Sequence, residues 1–294
     1  MRKFGAILKT TAREILSEPL SLLVLLAALA MEVLAPAFHY HQFGEPTRMA
    51  RDAGFSALFT CGSVLAVFGT IRAFRREVES GTLEMALAHP VSRGGFFLAK
   101  TAGAFVAYLV FALIVFGTEL TIVWGAEIGG RLSRQSGELS RVFGPALAAG
   151  VAVALLPLLL GAVLNRFARF RFVLTAFAFA LVLSLLFGGF SVALLPHFLG
   201  RLLPVAVLLV FPALVLLAAS AAFAVRFRAN AAASAVGLVF AALLPAMGNY
   251  YLSDALSKGG AVPWAYVGLA ALVALPAVVA FLLMGVCFGN QQGH

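Results

Sequence analysis

The sequence has little charge and very few cysteines for a chain of 294 residues. Charged residues make up 11% of it, whereas soluble domains carry roughly 25%. Hydrophobic residues make up 62%, and the mean hydropathy is +1.02. A water-soluble fold could not bury so much apolar surface. The composition therefore excludes a soluble protein and predicts an all-α, polytopic membrane protein.

The two cysteines, Cys61 and Cys287, both lie inside apolar runs. A disulfide framework or a cysteine-based metal site needs more thiols at defined spacings, so we expect both cysteines to serve packing. His39 and His41 form a His-x-His pair, but two imidazoles without a third ligand nearby make a weak metal site. We predict no metal site.

Catalytic signatures are also missing. The sequence contains no His-Glu-x-x-His pattern and no Gly-x-Ser-x-Gly pattern, which argues against a membrane-embedded hydrolase. The stretch from Gly94 to Thr101 comes closest to a P-loop, but Ala99 stands where the second glycine belongs. We interpret this stretch as the start of a membrane span. The chain is predicted not to be catalytic itself and to hold no cofactor.

The formal net charge is +9, with a pI near 10.3. In a membrane protein, basic residues report topology and attraction to anionic lipid before they report nucleic acid. We therefore expect membrane lipid, and no nucleic acid, as a partner.

Eight apolar runs are long enough to cross a bilayer core, which needs about 20 residues per helix. The sixth and seventh runs contain Pro204, Pro212, Pro245 and Asn249, which could break them or make them re-entrant. We therefore predict six to eight transmembrane helices. The runs cover residues 20–38, 53–71, 102–126, 142–164, 172–195, 202–225, 231–252 and 261–288.

The distribution of basic residues predicts the orientation. With the N-terminus placed in the cytoplasm, two thirds of the 21 lysines and arginines fall on the cytoplasmic side, and Lys100 is counted there with the loop after the second run. Cytoplasmic loops carry such an excess. Both termini are therefore predicted to be cytoplasmic, in a prokaryotic cytoplasmic (inner) membrane.

The first 18 residues have a different pattern. Apolar side chains recur at helical spacing on one face, and basic residues lie mostly on the other. This pattern predicts an amphipathic helix in the cytoplasmic interface that stops near Pro19. The N-terminus does not resemble a cleavable signal peptide. We divide the chain into this helix, residues 1–18, and one transmembrane domain, residues 19–294.

The segment 72–100 is the longest predicted cytoplasmic stretch. Gly81 can end the extension of the second span, and Thr82 can cap a new helix. Pro90 closes that helix after about two turns, and Ser92 can cap the third span. The pattern predicts a short stiff helix between two breaks. From the residues alone, it could dock on a soluble partner or merely connect two spans.

A resemblance favours docking. The sequence Glu-Ser-Gly-Thr-Leu-Glu at residues 79–84, then Pro-Val-Ser-Arg at 90–93 and Lys100, resembles the signature between the second and third spans of ABC-2 type permeases. In that family, this loop holds a coupling helix that contacts the ATPase, and a basic amphipathic helix precedes the first span. The resemblance is specific over about thirty residues and, counting the layout of spans, extends over roughly the first 195.

The resemblance implies the permease subunit of an ATP-driven (ABC) exporter. It implies a cytoplasmic ABC ATPase that binds ATP and Mg²⁺, and a second permease subunit that is either a copy of this chain or a different one. It also assigns the ATPase contact to eight residues of the loop. These are Glu79, Gly81, Thr82, Leu83, Glu84, Leu87, Pro90 and Arg93.

Two carboxylates fall inside predicted spans, Glu32 in the first and Glu119 in the third. Ionisable groups at such depth are costly and often functional. They could line a translocation path, or they could be protonated or hydrogen-bonded between helices and fix helix packing. As proton carriers they would suit an alternative function, a proton-coupled secondary transporter that needs no ATPase.

Overall fold

The structure is a computed structural model in which nearly every described residue is helical. Among the described residues there is no strand, so the predicted all-α polytopic fold is confirmed. The described residues are 2–34, 46–79, 92–136, 140–169, 171–227, 229–248 and 262–291.

Ten α-helical segments are described. A π-helical turn, Leu65–Gly69, joins the third and fourth into one continuous helix. The segments are α1 (Arg2–Leu16), α2 (Pro19–Leu34), α3 (Pro46–Val64), α4 (Thr70–Glu79), α5 (Arg93–Ser136), α6 (Ser140–Ala168), α7 (Phe172–Leu194), α8 (His197–Arg226), α9 (Ala229–Gly248) and α10 (Trp264–Gln291).

Six helical stretches among the described residues are long and apolar enough to cross a membrane, or seven if α1 and α2 form one interrupted span. This count confirms the predicted six to eight crossings. The six are Ala50–Arg76, Arg93–Ile128, Ala148–Phe167, Phe172–Leu194, Leu199–Arg226 and Trp264–Cys287.

The two uncertain runs have different outcomes. Pro204 and Pro212 both lie inside the continuous helix α8, so the expectation that they could break the sixth span is wrong. Buried neighbours let a membrane helix tolerate proline, and 67% of the most apolar window of this span is buried. In the seventh run, helix α9 continues through Pro245 to Gly248. The apolar stretch found among its described side chains is Ala231–Phe240, and Asn249 lies outside the described residues.

The helix of the third span, α5, begins at Arg93, directly after the predicted cap Ser92 and nine residues before the apolar run that starts at residue 102. The Ser92 hydroxyl accepts a hydrogen bond of 3.2 Å from the Gly95 N–H. This bond satisfies one of the donors that every helix start leaves unpaired, which confirms Ser92 as the cap. The stretch that resembled a P-loop is therefore the first two turns of α5.

The amphipathic helix predicted at the N-terminus is α1, which ends at Leu16. Helix α2 then starts at Pro19, and the Ser21 N–H donates to the Glu18 carbonyl at 3.1 Å. Proline suits this first helical position because its missing N–H has no partner to lose there. The position of α1 in the membrane interface stays a prediction.

The chain forms two compact units. The first unit consists of Met1–Ile15, Ser63–Tyr108 and Val207–His294. One of its core clusters joins aromatic and aliphatic side chains from the ends of the second and third spans to the small residues of α8 and α9. The buried members of this cluster are Ile71, Phe74, Phe97, Ala221, Ala224 and Ala232.

The second unit consists of Leu16–Gly62 and Leu109–Ala206. Its helices α5 and α7 approach closely because small residues line the contact. A Cβ added at Gly117 would lie 2.7 Å from the Ser184 carbonyl oxygen, and one at Gly188 would lie 2.7 Å from the Gly117 carbonyl oxygen. Such small-xxx-small spacing lets helix backbones meet in a membrane.

Helix α10 leaves most of its apolar surface uncovered. Only 11% of the most apolar window of Trp264–Cys287 is buried, compared with 78% for Arg93–Ile128. Leu272 and Leu283 are 71% and 62% exposed. An apolar surface of this kind is what the hydrocarbon of a bilayer surrounds, which agrees with a membrane protein.

Candidate functional site

Two carboxyl side chains meet in the interior of the second unit. Glu32 near the end of α2 and Glu119 in the middle of α5 are each 1% exposed. They lie close enough for their charges to interact. None of their four carboxyl oxygens has a hydrogen-bond partner among the described residues, although most buried polar atoms in proteins have one. The structure therefore brings together the two carboxylates singled out in the sequence.

Glu119 fits against the backbone of α3 because Gly54 has no side chain. A Cβ added at Gly54 would lie 2.6 Å from Cγ and 2.7 Å from Cδ of Glu119. Any larger residue would require the glutamate side chain to move. The absence of a side chain at Gly54 therefore leaves room for the Glu119 carboxyl group at this place, and nothing in the sequence indicated this role.

Helix α3 also sets the electrostatic surroundings of the pair. Cys61, which is 9% exposed, lies within electrostatic range of Glu32. Arg51 attracts and Asp52 repels a charge on Glu119. The two residues therefore act on a charge at Glu119 in opposite directions.

Two carboxyl groups in such a place can attract positive charge. An unpaired charge in an apolar interior costs several kcal/mol, and a proton or a cationic group would offset that cost. The described residues contain no group of three or more His, Cys, Asp or Glu side chains that could hold a metal ion. The carboxyl chemistry of the pair suits a proton or a positively charged substrate group.

A second arrangement surrounds the segment predicted to be the coupling loop. On its N-terminal side, Arg76 of α4 forms a 3.0 Å ion pair with Glu14 of α1. On its C-terminal side, Ser92 caps α5, and Arg93 is exposed at the first position of that helix. The ion pair and the cap both lie in the first unit. The helices on either side of the loop are therefore held by defined contacts.

Most of the predicted ATPase contact cannot be compared with the structure. Residues 80–91 lie outside the described residues, and the side chain of Glu79 does as well, although its backbone closes the described part of α4. The pair His39 and His41 is also outside them. The roles given to Gly81, Thr82, Leu83, Glu84, Leu87 and Pro90 accordingly stay predictions.

Lys100 differs from its expected place. The distribution of basic residues predicts it in a cytoplasmic loop, but it lies two turns inside α5 and is 0% exposed. Lysine is almost never fully buried without compensating contacts. The four residues before it, Phe96 to Ala99, are all apolar, and this was the available signal that a solvent-exposed position was unsuitable.

Residues 17–177 match the model of a family described as ABC-2 family transporter protein. This match covers more than half of the chain and includes α2 to α6, both carboxylates and the loop. No curated protein and no solved structure gives a significant match.

Proposed function

This chain belongs to the ABC-2 transporter family, and on that premise we propose that it is the membrane-spanning subunit of an ATP-driven exporter. It is a multi-pass membrane protein and a permease component of an ABC transporter. We further propose that ATP hydrolysis occurs on a separate chain and that substrate moves outward. The family match carries the proposal, and the motif at residues 79–93 supports it.

In this proposal the loop between α4 and α5 transmits force. Leu83 and Leu87 fall on one face of the predicted short helix, with Glu79, Glu84 and Arg93 around them. An apolar anchor with a charged rim suits a groove on a soluble partner. When ATP closes the ATPase subunits, the groove would push this helix, and the attached spans would change which side of the membrane the path faces.

The partners and location follow from the same proposal. The ATPase subunit would bind ATP and Mg²⁺, and this chain would hold no cofactor. A second permease subunit, either a copy of this chain or a different one, would complete the path. The chain would lie in a prokaryotic inner membrane with both termini in the cytoplasm, because that orientation places most basic residues inside.

Docking on the ATPase can be tested by co-purification. We expect the chain, co-expressed with the ATPase encoded beside it, to form a stoichiometric complex in detergent. Leu83→Asp should release the ATPase, because a charge on the anchor face would be desolvated at the contact. Glu84→Arg should weaken the complex by reversing a charge on the rim. Size-exclusion chromatography and the subunit ratio measure both effects.

Met85→Asp is the matched control, because it introduces the same charge on the opposite face of the predicted helix. It should leave the complex intact, and all variants should keep the melting temperature of the isolated chain. Release by Met85→Asp as well would show that the loop is not a one-sided anchor. A chain that purifies alone and moves protons into proteoliposomes without an ATPase, detected with a pH-sensitive dye, would favour the proton-coupled alternative.

We propose that Glu32 and Glu119 line the translocation path. The supporting observation is that their four carboxyl oxygens are buried and have no hydrogen-bond partner among the described residues. Such an arrangement lowers stability, because buried polar groups without partners lose their hydration. Residues that lower stability are often retained because the protein needs them for its function. A packing role, in contrast, would require the carboxyl groups to bridge helices.

The melting temperature separates these two roles. We expect Glu119→Met to raise it by roughly 2–8 °C, because removing a buried unpaired carboxyl group is stabilising by about 1–2 kcal/mol. Glu127→Met, on the same helix, removes a 4.0 Å contact with His197 and should lower stability by no more than about 1 kcal/mol. A lower melting temperature for Glu119→Met would mean that the carboxyl group holds helices together.

A further inference from the structure

Lys100 is the only lysine or arginine that is buried among the residues whose side chains the structure describes. It lies in the first unit, on the buried side of α5. A loop that meets an ATPase does not by itself require a cation to be enclosed two turns into the helix that follows. The contacts of Lys100 suggest the reason.

Two aromatic rings flank the ammonium group. The Lys100 Nζ lies 5.4 Å from the ring centroid of Phe74 and 5.7 Å from that of Phe96. Both distances are within the range of about 6 Å in which a ring face attracts a cation. Phe74 also packs against Phe97, with ring centroids 5.5 Å apart.

These contacts join the two helices that flank the predicted coupling loop. Phe74 belongs to α4, which leads into the loop, whereas Phe96, Phe97 and Lys100 belong to α5, which follows it. The contact between Lys100 and Phe74 therefore links the helix before residues 80–91 to the helix after them.

We propose that Lys100 is a positioning residue that makes the ends of α4 and α5 move as one body when the ATPase displaces the loop. This inference rests on the proposed function. Sliding one helix past the other would remove the Phe74 ring from a buried cation, and water could not replace it there. An aliphatic side chain at the same place would resist sliding far less, because dispersion contacts re-form readily along an apolar surface.

The experiment measures coupling separately from assembly. The complex of this chain with its ATPase is prepared with Cys287→Ser, so that Cys61 is the only cysteine of this chain. The rate at which a small maleimide labels Cys61 is then recorded with and without ATP and vanadate. We expect ATP to change that rate in the otherwise unaltered chain. Lys100→Met should assemble normally but reduce the ATP-dependent change about tenfold.

The side-chain chemistry supplies the controls. Lys100→Arg and Phe74→Trp should retain the coupled change because they keep a cation and a ring face, whereas Phe74→Leu should behave like Lys100→Met. Lys9→Met makes the same substitution at an exposed residue of the first unit and should have no effect. Equal coupling in Lys100→Met and the unaltered chain would overturn the inference.

Two other outcomes identify different failures. If Lys100→Met loses the ATPase, the lysine serves assembly or folding and the inference is wrong, although the proposed function stands. If the unaltered chain forms no complex, or forms one in which ATP leaves Cys61 labelling unchanged, the proposed coupling itself fails.

Discussion

Replacing Gly188 by leucine should clearly destabilise the folded protein, because the helices α5 and α7 have no room for a side chain at that position. A Cβ there would lie 2.7 Å from the carbonyl oxygen and 3.0 Å from the Cα of Gly117. Both atoms belong to backbone, which cannot rotate aside as a side chain can. Overpacking costs about 1–3 kcal/mol and occasionally more. A melting temperature lower by roughly 10 °C is expected at the upper end of that range.

The adjacent glycine provides a matched control. Gly189 is in the same helix but has nothing within 4 Å of an added Cβ. Gly189→Leu should therefore change the melting temperature little, and Gly189→Ala should be neutral or stabilising by about 0.5–1 kcal/mol, because alanine favours helices over glycine. Gly188→Ala should already be destabilising. Equal melting temperatures for the two alanine variants would show that α5 and α7 do not meet at this point.

Replacing Gly103 by leucine should release the N-terminal helix from the first unit. A Cβ at Gly103 would lie 2.6 Å from the Leu8 carbonyl oxygen and 2.8 Å from the Thr11 Cβ, so α1 rests directly on the backbone of α5. A cysteine placed at Thr11, which is 3% exposed, should then react with maleimide faster, by a factor on the order of tenfold. The background for this measurement lacks Cys61 and Cys287.

Two controls accompany that experiment. A cysteine at the exposed Thr10 should react quickly whether or not residue 103 is glycine. Gly5→Leu introduces leucine into α1 where nothing lies within 4 Å of an added Cβ, so it should leave the cysteine at position 11 protected. If Gly103→Leu does not change the labelling of position 11, α1 is not held by this contact.

The docking of α1 bears on how the loop could act. Glu14 of α1 pairs with Arg76 of α4, and Gly103 brings α1 against α5. The N-terminal helix therefore touches both helices that flank the loop within the first unit. The partly exposed ion pair contributes little, about 0.2–1 kcal/mol, so the close backbone contact at Gly103 is the stronger of the two.

The carboxyl pair shows where sequence reasoning succeeded and where it stopped. Glu32 and Glu119 were recognised because a carboxylate inside an apolar run is expensive wherever the run lies. Their proximity could not be predicted, since 86 positions separate them and only helix packing brings them together. Gly54 was missed because a glycine in a helical run carries no mark of what lies against it.

Lys100 was misassigned for a related reason. Counting basic residues treats each lysine as a charge that prefers water, which holds for most of them. The aromatic rings that compensate for its burial come partly from α4, and a periodicity argument does not show which residues of another helix will be near. The continuity of α8 through Pro204 and Pro212 has the same origin, because the neighbours that allow proline in a helix are tertiary contacts.

The sequence by itself determined the membrane environment, the approximate number of spans, the amphipathic first helix and the family, because these depend on composition, run length and local motifs. Only the tertiary structure decided that two carboxylates meet, that Gly117 and Gly188 let α5 and α7 touch, and that Lys100 is enclosed by aromatic rings. Hydrophobic run length is a property of consecutive residues. Close contact depends on which faces of distant helices meet, and a bilayer gives apolar faces little preference among partners.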